Sequence, residues 1–243
     1  MSLHDLSLTD FETGQILLID KPLHWSSYQA VNAVKWGIKT KFNIKKIKVG
    51  HAGTLDPLAT GLLIICTGKF TKKIAELQGQ IKTYTGTISL GKTTPSYDLE
   101  TEFDAHFDTD HISEQQLLST AELFTGDIQQ RPPVFSALKK EGKRLYEYAR
   151  AGEAVEIPTR QVCVHSFKIA PKTFPAIEFE IVCSKGTYIR SLAHDYGKAL
   201  ESGAHLSSLR RTKIGDFSVN NAIDAASFKD LLEKNVTPLK GRS

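Results

Sequence analysis

The chain has few of the features that mark membrane or secreted proteins. Its longest uninterrupted apolar run is Leu62 to Cys66, whereas a membrane helix needs about 20 apolar residues. The N-terminus carries Asp5, Asp10 and Glu12 and does not show the basic-then-apolar pattern of a secretion signal. We therefore expect a cytoplasmic protein that does not associate with membranes.

Cysteine is also scarce. The three cysteines, Cys66, Cys163 and Cys183, lie in apolar, strand-like stretches and have no C-x-x-C spacing. We interpret them as buried small hydrophobic residues in a reducing compartment.

Since no cluster of histidine, cysteine and acidic residues completes a ligand set, we expect neither a metal ion nor another cofactor.

Positive charge is concentrated in short segments, although the formal net charge of the chain is only +4. The range Lys35 to Lys48 contains six lysines and no acidic residue, whereas seven acidic residues occur from Asp98 to Glu114. Two smaller basic clusters comprise Lys139, Lys140, Lys143 and Arg144, and Arg210, Arg211 and Lys213. This segregation favours a basic face that neutralises nucleic-acid phosphates, but ordinary solvated surfaces would give the same pattern.

Strand and helix patterns mix along the chain without regular β-α-β alternation. Apolar runs and alternation of period two predict strands over Gln15 to Asp20, Leu62 to Thr67, Ile81 to Leu90 and Ile177 to Cys183. Capping residues and apolar stripes predict helices that start at Ser26 or Ser27, after Ser113, and over Lys143 to Ala151, Thr187 to Leu200 and Phe228 to Lys234. The sequence therefore predicts an α+β fold, with a mixed, largely antiparallel sheet flanked by helices and loops. With no linker visible, we expect one domain over residues 1–243.

The most informative segment is GHAGTLDPLATGLLIICTG, from Gly50 to Gly68. Its first part, Gly50 to Gly61, reads as a loop or a set of tight turns, and Pro57 biases Asp56 away from the helical conformation. A carboxylate in such a loop can be both exposed and well positioned, although a simple Asx turn is the structural alternative. A phosphate-binding loop does not fit, because no G-K-[ST] follows the glycines. A metal site is also weakly supported, because no nearby cluster completes the ligand set of His51 and Asp56.

This segment resembles the catalytic-loop signature G-H-x-G-T-L-D-P-x-A-T-G of the bacterial tRNA pseudouridine-55 synthases, the TruB family. Ala52 stands where threonine or serine is expected, and His24 and Trp25 replace the usual glycine and its neighbour. Further segments resemble family motifs in the expected order, so that the resemblance covers residues 15–218. They are LLIDKPLHWSS at 17–27, KTYTGTISLGKTTPSYD at 82–98, RPPVFSALKKEGKRLYEYARAG at 131–152, CSKGTYIRSLAHDYGKAL at 183–200 and GAHLSSLRRTKIGDF at 203–217.

The resemblance implies an enzyme that isomerises uridine 55 in the T loop of tRNA, a base that must be flipped out of its stack. It implies that Asp56 is the catalytic carboxylate and that Arg190 pairs with it. His51 would take up space near the vacated stack, and Tyr84 would stack on the flipped uracil. From the residues alone, Arg190 reads as a surface helix residue, and Tyr84 could belong to the core.

The resemblance also implies how the RNA is held. Residues 131–152 resemble the family's RNA-gripping thumb, and Lys21 and Pro22 resemble residues that buttress the catalytic loop. The partner would be the T stem-loop of tRNA, recognised mostly by shape and phosphate contacts, and we expect a monomer with no obligatory protein partner. The further candidates for contact with the RNA are Lys139, Lys140, Arg144, Arg210 and Arg211.

We expect one domain to be absent, and two alternative functions remain to be considered. Because the resemblance ends near Phe217, residues 218–243 leave too little chain for the C-terminal PUA-type domain of many family members, since a domain needs at least about 40–50 residues. A non-catalytic tRNA chaperone would not need Asp56 and Arg190 together. The related branch that works in guide-RNA particles carries extra terminal segments, for which this chain has no room.

Overall fold

Two compact units make up the chain. The structure, a computed structural model, describes residues 3–136, 138–140, 142–151, 153 and 155–233. Unit 1 comprises the described residues of Met1–Gln80 and of Arg211–Ser243, and unit 2 comprises those of Ile81–Arg210.

The helices and strands follow one another in an irregular order, as the sequence predicts. The α-helices are α1 (Leu8–Thr13), α2 (Ser27–Phe42), α3 (Ile74–Gly79), α4 (Glu114–Leu123), α5 (Leu145–Arg150), α6 (Ile189–Ala199) and α7 (Phe228–Glu233), with short 3-10 helices at Leu3–Asp5, Gly68–Lys73 and Val219–Asn221. The strands are β1 (Ile16–Lys21), β2 (Val49–His51), β3 (Ala59–Thr67), β4 (Lys82–Leu90), β5 (Lys92–Thr93), β6 (Ala105–His106), β7 (Gly126–Gln130), β8 (Lys139–Lys140), β9 (Lys143–Arg144), β10 (Arg160–Thr173), β11 (Ala176–Cys183), β12 (Ala204–Ile214), β13 (Phe217–Ser218) and β14 (Ile223–Asp224).

In unit 1, β3 is the strand around which the core forms. It pairs antiparallel with β1 on one side and with β2 on the other, and β14 adds to β1 in parallel. Leu63 and Ile65 of β3 pack with apolar side chains of α2 and α7. Leu62, Ile64 and Cys66 point to the opposite face and pack in a second cluster. Burial on both faces explains why this strand reads as a continuous apolar run.

Helix α2 begins where the capping pattern predicts. The Ser26 hydroxyl accepts a hydrogen bond from the Gln29 amide, and the Gln29 side chain accepts one from the Ser26 amide. This capping box satisfies donors that would otherwise lack partners in the first turn. The predicted inner face is confirmed, since Val31, Val34 and Ile38 are buried.

In unit 2, β4, β11, β10 and β7 form an antiparallel series in that order. The alternation predicted for β11 is confirmed, because Ile177, Phe179, Ile181 and Cys183 are buried while the intervening residues are more exposed. The β1–β14 pair is parallel, whereas the pairs β1–β3, β2–β3, β4–β11, β10–β11, β7–β10, β5–β6, β8–β9 and β12–β13 are antiparallel. The α+β prediction with a mixed, largely antiparallel sheet is therefore confirmed.

Three local predictions need correction. The predicted loop Gly50 to Gly61 is shorter, because β2 and β3 pair as far as His51 and Ile65. The predicted helix from Lys143 begins at Leu145, since Lys143–Arg144 pairs with Lys139–Lys140 after a turn in which Gly142 has a φ of 84°. The cysteine prediction holds for Cys66 and Cys183, whereas Cys163 is only half-buried.

One other helix is shorter than predicted at both ends. The helix predicted from Thr187 to Leu200 spans Ile189–Ala199, with Tyr188 at its N-cap. The C-terminal helix is described as far as Glu233, and its predicted last residue, Lys234, lies outside the described residues.

Candidate active site

Asp56 occupies the first position of a tight turn between β2 and β3. The Ala59 amide donates to the Asp56 carbonyl at 3.0 Å, and Pro57 fills the second position, where its fixed φ favours such a turn. The Asp56 side chain is half-buried. The turn therefore fixes the backbone of Asp56 while leaving its carboxylate within reach of solvent.

Helix α2 and the residues before it brace this turn. The Ser27 hydroxyl accepts the Leu55 amide at 2.8 Å and donates to the Leu55 carbonyl at 3.1 Å. The His24 amide donates to the Pro57 carbonyl at 2.8 Å. His24, which replaces the family's usual glycine, has a φ of 65°. This left-handed conformation costs a residue with a side chain roughly 1–2 kcal/mol, and the bond to Pro57 helps to hold it.

Arg211 braces the other side of the turn and is only 2% exposed. Its Nε donates to the Leu62 carbonyl at 2.8 Å, and its two terminal nitrogens donate to the carbonyls of Gly53 at 3.1 Å and Thr54 at 3.4 Å. The backbones approach so closely that a Cβ on Gly61 would lie 2.3 Å from the Arg211 carbonyl. The prediction that Arg211 contacts the RNA backbone is therefore wrong for this conformation, because its donors are occupied inside the protein.

Lys21 is fully buried at the end of β1. Its ammonium group donates to the carbonyls of Pro22 at 2.9 Å and Trp25 at 2.5 Å. Burial lowers the pKa of Lys21 to about 8, the Asp56 carboxylate opposes this shift and the Arg211 charge adds to it. Lys21 thus ties together the segment that leads into α2, and its role as a buttress of the catalytic loop stays a prediction.

His51 lies at the end of β2 and pairs with Ile65. Burial lowers the pKa of its half-buried imidazole, an effect opposed by a hydrogen bond with the Gly53 backbone and reinforced by the Arg211 charge. The ring is therefore uncharged near neutral pH. The sequence predicts His51 within the loop of Asp56, whereas it lies on β2, and its role in base flipping stays a prediction.

In unit 2, Arg190 is buried rather than exposed, so the simple reading of it as a surface helix residue is wrong. It is 3% exposed and donates to the carbonyls of Ser96 at 3.1 Å and Phe135 at 2.8 Å. Its Nε lies 3.6 Å from Oδ2 of Asp98, which is also buried. The pairing of Arg190 with Asp56 stays a prediction.

Asp98 is a buried partner of Arg190 that the sequence analysis did not identify. It was counted only as the first member of an acidic segment, yet it is 4% exposed and provides a carboxylate for Arg190. A signal was present, because Asp98 ends the segment KTTPSYD that resembles a family motif. Its partner lies 92 residues later in the chain, so local patterns could not identify the pair.

Tyr84 lies on β4, opposite Ile181 of β11. It is 9% exposed and shares its face of the strand with the buried Ile88 and Leu90. Such a position is compatible with packing in the core, and it is equally compatible with an aromatic ring that stacks on a base at the edge of the core. Its stacking role therefore stays a prediction.

The basic residues that are predicted to contact RNA differ in their position, ion pairing and burial. Lys139, Lys140 and Arg144 lie in the β8–β9 hairpin of unit 2, and their side chains are outside the description. Lys143 of the same hairpin has its Nζ 2.9 Å from Oε2 of Glu153. Arg210 is half-buried at the end of unit 2.

The described residues contain neither a metal-binding cluster nor a membrane-spanning helix. No group of three or more histidine, cysteine and acidic side chains in that part of the chain could hold a metal ion. Among the same residues, none of the helices has the length and hydropathy that a bilayer crossing requires.

Lys21 should titrate near pH 8 instead of near 10.5, because burial destabilises its charged form. Asp56→Asn should lower this pKa further, since the carboxylate opposes the shift. The measurement is the pH dependence of the side-chain carbon resonances in lysine-labelled protein, with Lys21→Met to assign the signal.

The pH dependence of the free energy of unfolding also reports the titration of Lys21. Between pH 8 and 10.5 the folded protein binds fewer protons at Lys21 than the unfolded chain does, so the Lys21 contribution to the free energy of unfolding rises with pH. Lys21→Met should remove this rise, whereas Lys213→Met, at an exposed position of unit 1, should retain it. Titration of every lysine near the ordinary value would contradict the burial of Lys21.

Comparisons with known proteins place the chain in a family. A family model described as TruB family pseudouridylate synthase (N terminal domain) matches residues 39–189, and one described as tRNA pseudouridylate synthase B C-terminal domain matches residues 190–239. The second match corrects the expectation that the resemblance ends near Phe217.

Similar proteins and structures agree with these matches. A protein of Flavobacterium johnsoniae named tRNA pseudouridine synthase B is 61% identical over 225 residues, which are 92% of this chain and 98% of that protein. A protein of the same name from Parabacteroides distasonis is 50% identical over 231 residues, with coverage of 95% and 98%. A chain in the crystal structure of a Cbf5-Nop10-Gar1 complex matches with a TM-score of 0.68 and 27% identity, over 95% of this chain and 58% of that chain. The protein described here therefore belongs to the TruB family of pseudouridylate synthases.

Proposed function

We propose that this chain converts uridine 55 in the T loop of tRNA to pseudouridine, with Asp56 as the catalytic carboxylate. The observation that supports this most strongly is the placement of Asp56 in a turn that Ser27, His24 and Arg211 hold from both sides. A half-buried carboxylate on such a turn is positioned before the substrate arrives, as catalysis requires. The relatives that bear the name tRNA pseudouridine synthase B support the choice of substrate.

The reaction rearranges bonds without adding or removing atoms. The N1–C1′ bond of uridine breaks, the uracil rotates, and a C5–C1′ bond forms. The proton on C5 is lost and N1 gains one, so no redox partner or activated group is needed. Asp56 acts either as a nucleophile or by assisting formation of a glycal intermediate, and both routes need its carboxylate ionised and close to the sugar.

The other site residues have supporting roles in this proposal. Arg190 holds the Asp56 carboxylate, and a planar guanidinium suits that contact better than an ammonium group does. His51 fills space near the position that the flipped base leaves, and Tyr84 stacks on the uracil. Lys21 fixes the segment that braces the catalytic turn.

RNA binding draws on the basic side chains that remain available. We assign phosphate contacts to the thumb, residues 131–152, through Lys139, Lys140 and Arg144, and to Arg210. Arg211 is withdrawn from this set because it is buried. We further propose that residues 1–243 form one catalytic domain, and that the protein works in the cytoplasm as a monomer without an obligatory protein partner.

Asp56→Asn should abolish turnover, by at least about a thousandfold, while tRNA binding stays within a few fold of the parent. The reason is that the carboxylate supplies chemistry, whereas phosphate contacts supply most of the affinity. The measurement is pseudouridine formation in unmodified tRNA, mapped with a carbodiimide reagent, beside a binding titration. Asp216→Asn, the same substitution at an exposed position of unit 1, should keep full activity.

Two outcomes of this experiment would contradict the proposal. Activity of Asp56→Asn within tenfold of the parent would remove Asp56 from its assigned role. A parent protein that binds and refolds tRNA without forming pseudouridine would support the chaperone alternative.

Lys139→Gln combined with Lys140→Gln should weaken tRNA binding and reduce its salt dependence. Each lost phosphate contact lowers the slope of log K against log salt by about one unit or slightly less. Lys143→Gln should have a smaller effect, since its ammonium already pairs with Glu153. An unchanged slope in the double variant would show that β8 of the thumb does not contact the RNA backbone.

A further inference from the structure

The loop from Thr94 to Asp98, which follows β5, contacts Arg190 at two points. The carbonyl of Ser96 accepts a hydrogen bond from Arg190 at 3.1 Å, and Oδ2 of Asp98 lies 3.6 Å from its Nε. The position of the guanidinium therefore depends on the conformation of this loop.

Tyr97 stands between these two contact residues in an unfavourable backbone conformation. Its φ is 62°, in the left-handed region that residues with a side chain rarely adopt. Its amide closes a turn by donating to the Thr94 carbonyl at 3.1 Å, and Pro95 occupies the second position of that turn. Something must therefore hold Tyr97 against relaxation to an ordinary conformation.

The Tyr97 ring lies flat against His194 of α6. The ring centroids are 3.9 Å apart and the planes differ by 17°, which is a stacked arrangement. His194 follows Arg190 by four residues, so both side chains lie on the same face of the helix, one turn apart. The loop and α6 are thus joined both at Arg190 and one turn further along the helix.

The other hydrogen bonds of the loop do not make this second connection. Thr94 Oγ1 donates to the Asp98 carbonyl at 2.6 Å, and Ser96 Oγ donates to the same carbonyl at 3.1 Å. The Leu206 amide of β12 donates to the Tyr97 carbonyl at 2.9 Å. These bonds close the loop on itself or fasten it to β12, and none of the three reaches α6.

Both rings of the stack are uncharged near neutral pH. Burial lowers the pKa of His194, the Lys198 charge adds to this effect and Asp104 opposes it. Burial also raises the pKa of Tyr97, helped by Asp195 and Asp104 and opposed by Arg131. A flat contact between two neutral rings is favourable without a matching counter-charge.

We propose that the Tyr97–His194 stack is a clamp that positions Arg190 for the reaction, so that Tyr97 and His194 are positioning residues of this enzyme. The inference rests on the proposed function, because the stack affects the reaction only if Arg190 holds the Asp56 carboxylate. Without the stack the loop relaxes, the Ser96 carbonyl and the Asp98 carboxylate shift, and the guanidinium loses its fixed direction.

The test measures kcat and KM separately for the full chain acting on a T-arm stem-loop RNA, by release of tritium from C5-labelled uridine. Tyr97→Ala should lower kcat about tenfold, or about 1.4 kcal/mol in activation free energy, with KM within about twofold. Tyr97→Phe keeps the ring and should retain the parent rate. His194→Leu fills the same space without a π face and should match Tyr97→Ala, while the double variant should be no worse than either single variant, because both substitutions break one contact.

Tyr97→Gly separates the ring from the backbone. Glycine adopts the left-handed conformation freely, so this variant removes the strain and the stack together. It should be as impaired as Tyr97→Ala. Full activity would mean that the ring only offsets the strain of its own backbone, and the clamp would be refuted.

Arg190→Lys distinguishes failure of this inference from failure of the proposed function. If Arg190→Lys is inactive while Tyr97→Ala and His194→Leu have the parent kcat, the clamp is wrong and the role of Arg190 stands. If Arg190→Lys is fully active, the role of Arg190 is wrong and the clamp fails with it. A thermal melt of each variant checks folding, and His194→Leu decides the matter if Tyr97→Ala does not fold.

Discussion

The hydrogen bonds from the buried guanidinium of Arg211 to the loop around Asp56 are the contact on which the site of unit 1 depends. Three carbonyls, those of Gly53, Thr54 and Leu62, are satisfied by one side chain. An unpaired buried carbonyl costs about 1–3 kcal/mol, and a lysine in place of Arg211 could not reach all three in a fixed fork. The same arginine thus fixes the path of the backbone on the N-terminal side of Asp56.

Two buried cationic side chains belong to the same part of the structure as the Asp56 carboxylate. Arg211 and Lys21 bring two cationic groups into unit 1, and both are buried. Burying a charge is costly unless a partner compensates it. The Asp56 carboxylate favours the charged form of Lys21, while the two cations disfavour each other. The Asp56 carboxylate therefore offsets part of the cost of burying the Lys21 charge.

The sequence predicts the elements whose pattern is strong and local. The apolar run of β3 and the N-cap of α2 both have physical causes within a few residues. The predicted strand, Leu62 to Thr67, covers most of Ala59–Thr67, and the helix starts at the predicted serines. Arg211 was misjudged because a run of basic residues does not reveal which of them turns inward. Asp98 was missed because its partner, Arg190, lies far along the chain. The predicted start of α5 at Lys143 was wrong, because a hairpin turn at Gly142 overrides the helical tendency of the residues that follow it.

The hydrogen bonds around Asp56 hold its loop in one conformation before RNA binds. Amide hydrogen exchange of the RNA-free protein tests this most directly, at Ala52, Leu55 and Ala59, whose amides donate to Ile64, Ser27 and Asp56. We predict that these three amides exchange at least about a hundredfold more slowly than in an unstructured chain. Exchange within about tenfold of the unstructured rate would show a loop that is organised only by its substrate, and would contradict the account.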